Sequence, residues 1–188
     1  NFNGIRNMTN NKRPIKTPDD LKGLKMRCMS NQVYIKMFEA LGANATPMSW
    51  SELFTALQQG TVDGEENPAS LIYEAKFQEV QKYISTTEHI YDFCGIVINR
   101  NFYEGMDEQA RKILDDAVQT KLIDEQRSME LDNNDEYLKK LQEEGMELTE
   151  LTAEERKAFA DKVAPMYENW ETTYGQDIVD AVEKYRAQ

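Results

Sequence analysis

Between Asp107 and Glu144 the sequence holds neither proline nor glycine. Helix formers dominate, and apolar residues recur at Ala110, Ile113, Leu114, Ala117, Ile123, Tyr137, Leu138 and Leu141 before Gly145 closes the run. A continuous helix over roughly 38 residues would be about 57 Å long at 1.5 Å rise per residue. A compact body of 188 residues has a radius of gyration of about 16 Å, hence a diameter of about 40 Å. Such a helix overshoots the body its own chain can build. It must break, pair with another chain, or lie across a second lobe. The polar patch at residues 132–136, DNNDE, reads as a solvated face or a local bend in it.

The first half alternates short strands with helices. Residues 4–9 read as a strand, and Thr17-Pro18-Asp19-Asp20 as a helix start with Thr17 as its cap. Residues 24–29 form a strand pattern with Leu24, Met26 and Cys28 on one face and Lys25, Arg27 and Met29 on the other. Helices are expected over 31–41 and from Ser49 through Trp50, Leu53, Phe54 and Leu57, with further strands over 80–87 and 93–99. Strands interleaved with helices predict an α/β fold. Beyond the long helix, residues 146–151 read as a strand, Thr152 with Glu155 as a capping box, and 176–186 as a last helix.

Hydrophobic residues make up 40% of the chain, enough for a sizeable core, and no apolar run is long enough to span a membrane. The chain opens NFNGIRNMTN, without a basic and apolar leader, as a mature secreted protein also would. Net charge is −12, which disfavours nucleic acid as a partner. Yet the first fifty residues hold eight Lys and Arg against three Asp and Glu. That basic opening marks either a place where an anion is received or ordinary surface scatter. Cys28 and Cys94 are expected to be buried free thiols, and no metal cluster is predicted because His89 is the single histidine. No GxSxG, P-loop or GxGxxG is present and nothing singles out an acid/base pair, so the chain does not read as an enzyme and no cofactor is implied.

Four residues remain as binding candidates on physical grounds. The stretch ALQQGTVDGEENPAS, residues 56–70, stops a helix, turns through a short strand and restarts at Asn67-Pro68, as if to place one side chain. Asn67 reads as the helix cap, which is either an anion site or an ordinary cap. Arg27, opposite the apolar face of its strand, suits bidentate recognition of a carboxylate or a structural salt bridge, and Arg6 has the same two readings. Trp50 is either core or the floor of a pocket.

Three segments taken together, GIRNMTNNKRPIKTPDDLKGLKMR, LGANATPMSWSELFTALQQGTVDGEENP and KFQEVQKYISTTEHIYDFCGIVIN, closely resemble the solute-binding subunit of TRAP (tripartite ATP-independent periplasmic, DctP-like) transporters. The resemblance runs from about residue 4 to the C-terminus. It implies an α/β fold: one lobe of a two-lobed periplasmic-binding-protein-like architecture plus a long lobe-crossing helix. On that pattern residues 1–12 are a crossover strand, 13–92 the second lobe, 93–106 a crossover strand and link, 107–145 the long helix, and 146–188 a C-terminal strand and helices. It further implies extracytoplasmic capture of a C4-dicarboxylate, uronate or related sugar acid, and delivery to an ion-gradient-driven membrane permease.

By the same resemblance Arg27 is the main carboxylate ligand, Asn67 hydrogen-bonds the same carboxylate, Arg6 adds positive charge, Trp50 packs on the ligand and His89 orders side chains nearby. Glu65 and Glu66 are expected to be structural. The family's LKxRVP departs here to Arg27-Cys28-Met29, which loosens the turn, and the family's N-terminal lobe has no counterpart. The expectation is therefore a piece that binds ligand weakly or not at all and self-associates through uncovered surface. A sensory ligand-binding protein on the same fold and a helix-mediated interaction protein are the alternatives.

Overall fold

The computed structural model describes residues 1–168 and 170–186. A single six-stranded mixed sheet organises the chain, in the order β3-β2-β4-β1-β5-β6. The strands are β1 (Phe2–Asn10), β2 (Lys25–Cys28), β3 (Asn44–Pro47), β4 (Gly64–Pro68), β5 (Tyr83–Phe93) and β6 (Glu147–Thr149). β2 runs parallel to β3 and β4, whereas β1 is antiparallel to β4 and β5. Helices α1 (Gln32–Ala40), α2 (Trp50–Gln58) and α3 (Ala69–Glu74) link the first strands. Then come α4 (Arg100–Glu104), α5 (Glu108–Ala117), α6 (Gln126–Glu143), α7 (Ala153–Val163), α8 (Trp170–Tyr174) and α9 (Gln176–Arg186).

The alternation in β2 decides the layering. Met26 and Cys28 enter a core with Met8, Met37, Phe38 and Phe159, which α1 and α7 cover. Leu53, Leu57, Ile72, Ile84 and Leu141 form a second core under α2, α3 and α6. The Arg27 side chain, one residue out of phase with Met26 and Cys28, leaves the first core and faces the second layer. β4 is buried along its whole length. It fits between β1 and β2 because Gly64 has no side chain: a Cβ there would lie 2.1 Å from the Thr9 carbonyl oxygen.

The long helix forms as one rod with a wide turn inside it. α5 passes into a π-helical segment, Val118–Glu125, and that into α6, together about 54 Å at 1.5 Å per residue. The Thr120 hydroxyl donates to the Asp116 carbonyl within the wide turn, a competitor for the helix ladder. The DNNDE patch lies in regular α6 with Asp132, Asp135 and Glu136 exposed, the solvated face of the two readings, and the irregularity falls earlier, at Val118–Glu125. Asp107 caps the start through its side chain, and Thr152 with Glu155 forms the expected capping box of α7. No helix of the described residues is long and apolar enough to cross a membrane.

Three expectations are corrected. The strand expected over 93–99 does not form: β5 runs on to Phe93, and residues 94–99 join no strand. The backbone pairing of β5 with β1 ends at Cys94, which exchanges hydrogen bonds with Asn1. Cys94 is accordingly exposed rather than buried, while Cys28 is buried and that burial pushes its thiol pKa up. Asn67 is not a helix cap. Its backbone pairs with Asn7 as part of β4, and Pro68 caps α3.

Candidate functional site

The carboxyl ends of the parallel strands β3, β2 and β4 carry Met48, Arg27 and Asn67 to one edge of the sheet, the position where α/β sheets commonly open to a cleft. A cleft of about 560 Å³ lies there, lined by Arg6, Arg27, Trp50, Asn67, Asp92 and neighbouring residues. Four of the five residues expected at the site therefore converge.

Arg27 is 3% exposed. Its Nε and Nη2 both donate to the Met48 carbonyl, at 3.0 and 2.9 Å, which fixes the guanidinium plane. Among the described residues no carboxylate comes within ion-pair distance of it, and its Nη1 makes no hydrogen bond. Burial lowers its pKa, opposed by the charges of Glu65 and Glu66. A buried guanidinium that donates only to a carbonyl keeps the capacity to take a carboxylate, whose charge-assisted hydrogen bonds are the stronger kind.

Arg6 is in the opposite state. Its Nε donates to Glu66 Oε2 at 2.5 Å, Nη2 to Glu66 Oε1 at 2.9 Å and to Asn67 Oδ1 at 2.9 Å, and Nη1 to Asp92 Oδ2 at 2.8 Å. Burial pulls its pKa down, but the Glu66 and Asp92 interactions outweigh that and raise it. Glu66 is held ionised in return: burial pushes its carboxyl up, but hydrogen bonds from His89 and Arg6 take it below its ordinary value. Arg6 is thus the anchor of a buried network and not a free cation.

Asn67 joins the two arginines' surroundings. Its Oδ1 accepts from Arg6 and its Nδ2 donates to Glu65 Oε2 at 2.5 Å, leaving one amide hydrogen for another acceptor. Trp50, at the start of α2, is 46% exposed and lies against Phe77, with ring centroids 5.4 Å apart. His89 does not line this cleft. β5 carries an irregularity between the pairs Arg6–Ile90 and Met8–Ser85, with Glu88 in a left-handed conformation. That bulge turns His89 toward Glu66, with Nε2 3.3 Å from Oε2 and Nδ1 2.8 Å from the Thr87 hydroxyl. His89 is linked to Arg6 through Glu66.

Sequence reasoning missed Asp92, which holds Arg6 and accepts from Asn3 Nδ2 at 2.7 Å. Nothing in the local pattern Tyr91-Asp92-Phe93 signals it. The described residues contain no cluster of three or more His, Cys, Asp or Glu able to hold a metal ion.

Residues 2–173 match the family described as bacterial extracellular solute-binding protein, family 7. The chain belongs to that family. Family 7 likeness extends along most of the chain in individual relatives. A solute-binding protein from Verminephrobacter eiseniae (strain EF01-2) is 39% identical over 184 residues, covering 96% of this chain and 53% of that protein. The 2,3-diketo-L-gulonate-binding periplasmic protein YiaO from Escherichia coli (strain K12) is 34% identical over 185 residues, covering 97% and 56%. Among solved structures, the sugar acid binding protein DctPAm from Advenella mimigardefordensis, in complex with galactonate, superposes with a TM-score of 0.87 at 37% identity, covering 96% of this chain and 58% of that one. The chain spans about half the length of the curated relatives it matches. The fold is the α/β architecture of TRAP periplasmic solute-binding proteins, six-stranded sheet and long helix included.

Proposed function

We propose that this chain supplies one wall of a cleft that captures the carboxylate of a small organic acid in the periplasm for an ion-gradient-driven TRAP permease. Arg27 is the clamp and Asn67 the second donor. Trp50 forms the flat side of the pocket, Arg6 with Glu66 and His89 holds the arrangement rigid, and residues 13–92 form the binding lobe. The observation that carries this reading is Arg27: buried, oriented by the Met48 carbonyl, and without an anionic partner among the described residues. A carboxylate supplies the direct, charge-assisted acceptor that Arg27 does not find among the described residues. The family membership and the carboxylates named in its relatives agree with that chemistry.

One wall leaves the Arg27–carboxylate pair open to water, which weakens it. Binding by this chain is expected near the millimolar range, about −4 kcal/mol. The Trp50 indole and Arg27 Nε–H resonances report it directly by NMR when D-galactonate, D-glucuronate or succinate is added. Arg27→Ala should abolish the Trp50 shift for every acid that produces one. Shifts that survive Arg27→Ala would place the site elsewhere. We propose as well that the exposed apolar stretch Tyr91, Phe93, Ile96, Val97 and Ile98 leads the isolated chain to self-associate.

A further inference from the structure

The charge around the cleft constrains which acid fits, and this step rests on the carboxylate reading of Arg27. Arg6 and Arg27 bring two positive charges, while Glu66 and Asp92 bring two negative ones. Glu66 lies beneath Arg6 and matches it. Asp92 lies in the cleft wall and also pairs with Arg6, 2.8 Å from its Nη1, so Arg27 keeps no carboxylate in contact among the described residues. Counted together, the four groups still sum to zero before any ligand arrives. A monocarboxylate leaves the site at one negative charge, and a dicarboxylate at two, in surroundings where unpaired charge is costly. Glu65, behind Asn67, adds no positive charge in either protonation state, so it cannot reverse the sign.

Asp92 also has a vacant acceptor. Its Oδ2 is taken by Arg6 and Asn3, whereas Oδ1 receives no hydrogen bond from the protein. Its side chain is 20% exposed. A carboxylate oxygen open to a cleft accepts hydrogen bonds from hydroxyls and repels a second carboxylate. Ser30, Ser49 and Asn3 line the same cleft with hydroxyl and amide groups. Among the described residues the cleft lining contains no third cation that would receive a second carboxylate.

We propose that Asp92 is a specificity-determining residue that selects monocarboxylates bearing hydroxyl groups, of the sugar-acid type, over dicarboxylates. D-galactonate and succinate are titrated into the protein, Asp92→Asn and Arg27→Ala, reading the Arg27 and Trp50 resonances. Galactonate should bind at least about tenfold more tightly than succinate. Asp92→Asn should narrow that ratio on the order of tenfold, about 1.4 kcal/mol, chiefly by improving succinate. If Asp92 only positioned Arg6, its substitution would weaken both acids equally and leave the ratio unchanged; that result overturns the proposal. A wild-type ratio at or below one, with signals that depend on Arg27, overturns the selectivity and leaves the carboxylate clamp standing. Arg27-independent signals, or none with either acid, overturn the clamp and this inference with it.

Discussion

Glu65 is fully buried, its Oε2 accepting from Asn67 Nδ2 at 2.5 Å and its Oε1 2.9 Å from the Thr9 hydroxyl. That hydroxyl is also 3.0 Å from Gln81 Oε1, whose amide nitrogen is committed to the Val80 carbonyl. A hydroxyl has one hydrogen to give. With Glu65 ionised, Glu65 Oε1 and Gln81 Oε1 compete for it. With a proton on Glu65 Oε1, Glu65 donates to Thr9 and Thr9 to Gln81, and every oxygen is satisfied. Electrostatics agree with the geometry: burial pushes the carboxyl from 4.5 up to about 7, the hydrogen bond from Asn67 opposing and the charge of Glu66 adding.

The folded value lies above the unfolded one, so between the two the fold holds a proton that the unfolded chain releases. Stability from Glu65 is whole below about pH 4.5 and is lost as pH rises through about 7. At about 1.36 kcal/mol per pKa unit the loss is about 3 kcal/mol. Glu65→Gln keeps the shape, donates to Thr9 from its amide and has no proton to lose. The variant should match the wild type near pH 4.5 and exceed it by about 3 kcal/mol near pH 8, roughly 10 °C in melting temperature for a chain of this size. Urea denaturation across that range measures the difference directly. A difference that stays constant with pH would refute the reasoning, since Glu65 would then hold the same protonation state in the folded and unfolded chain.

Two further outcomes are expected. Arg6→Ala strips a buried network of its cation and leaves Glu66 charged against nothing but His89, so stability should fall by about 3–5 kcal/mol in chemical denaturation; a loss under about 1 kcal/mol would mean that water reaches the pair. Sedimentation velocity of the isolated chain should show concentration-dependent association that Val97→Lys reduces, because Val97 is 92% exposed at the centre of the bare apolar stretch; a clean monomer at all concentrations would sink that expectation.

What could be read from the sequence depended on how far away each residue's deciding partner lies. Thr152 and Glu155 are three residues apart, and their capping box forms as expected. The placement of Arg27 followed from a two-residue alternation with Met26 and Cys28, which a core on one side of the strand enforces. Asn67 failed that test. An Asn before a Pro has the local look of a cap, but Asn7, sixty residues earlier, claims its backbone for the sheet. Asp92 was invisible for the same reason: its meaning comes from Arg6 and Asn3 on a different strand. The apolar run at 94–99 looked like a strand because composition records the wish to be buried and not whether a partner edge exists. β4 shows the limit most plainly. Of its five buried residues, Glu65, Glu66 and Asn67 are polar, an arrangement no hydrophobic pattern predicts. Burying three such groups is tolerable only because Arg6 and Thr9 on the adjacent β1, and His89 on β5 beyond it, satisfy them. A strand built at that cost contributes little to the core. Its polar side chains instead hold Arg6 rigid and set Asn67 in the same cleft as Arg27.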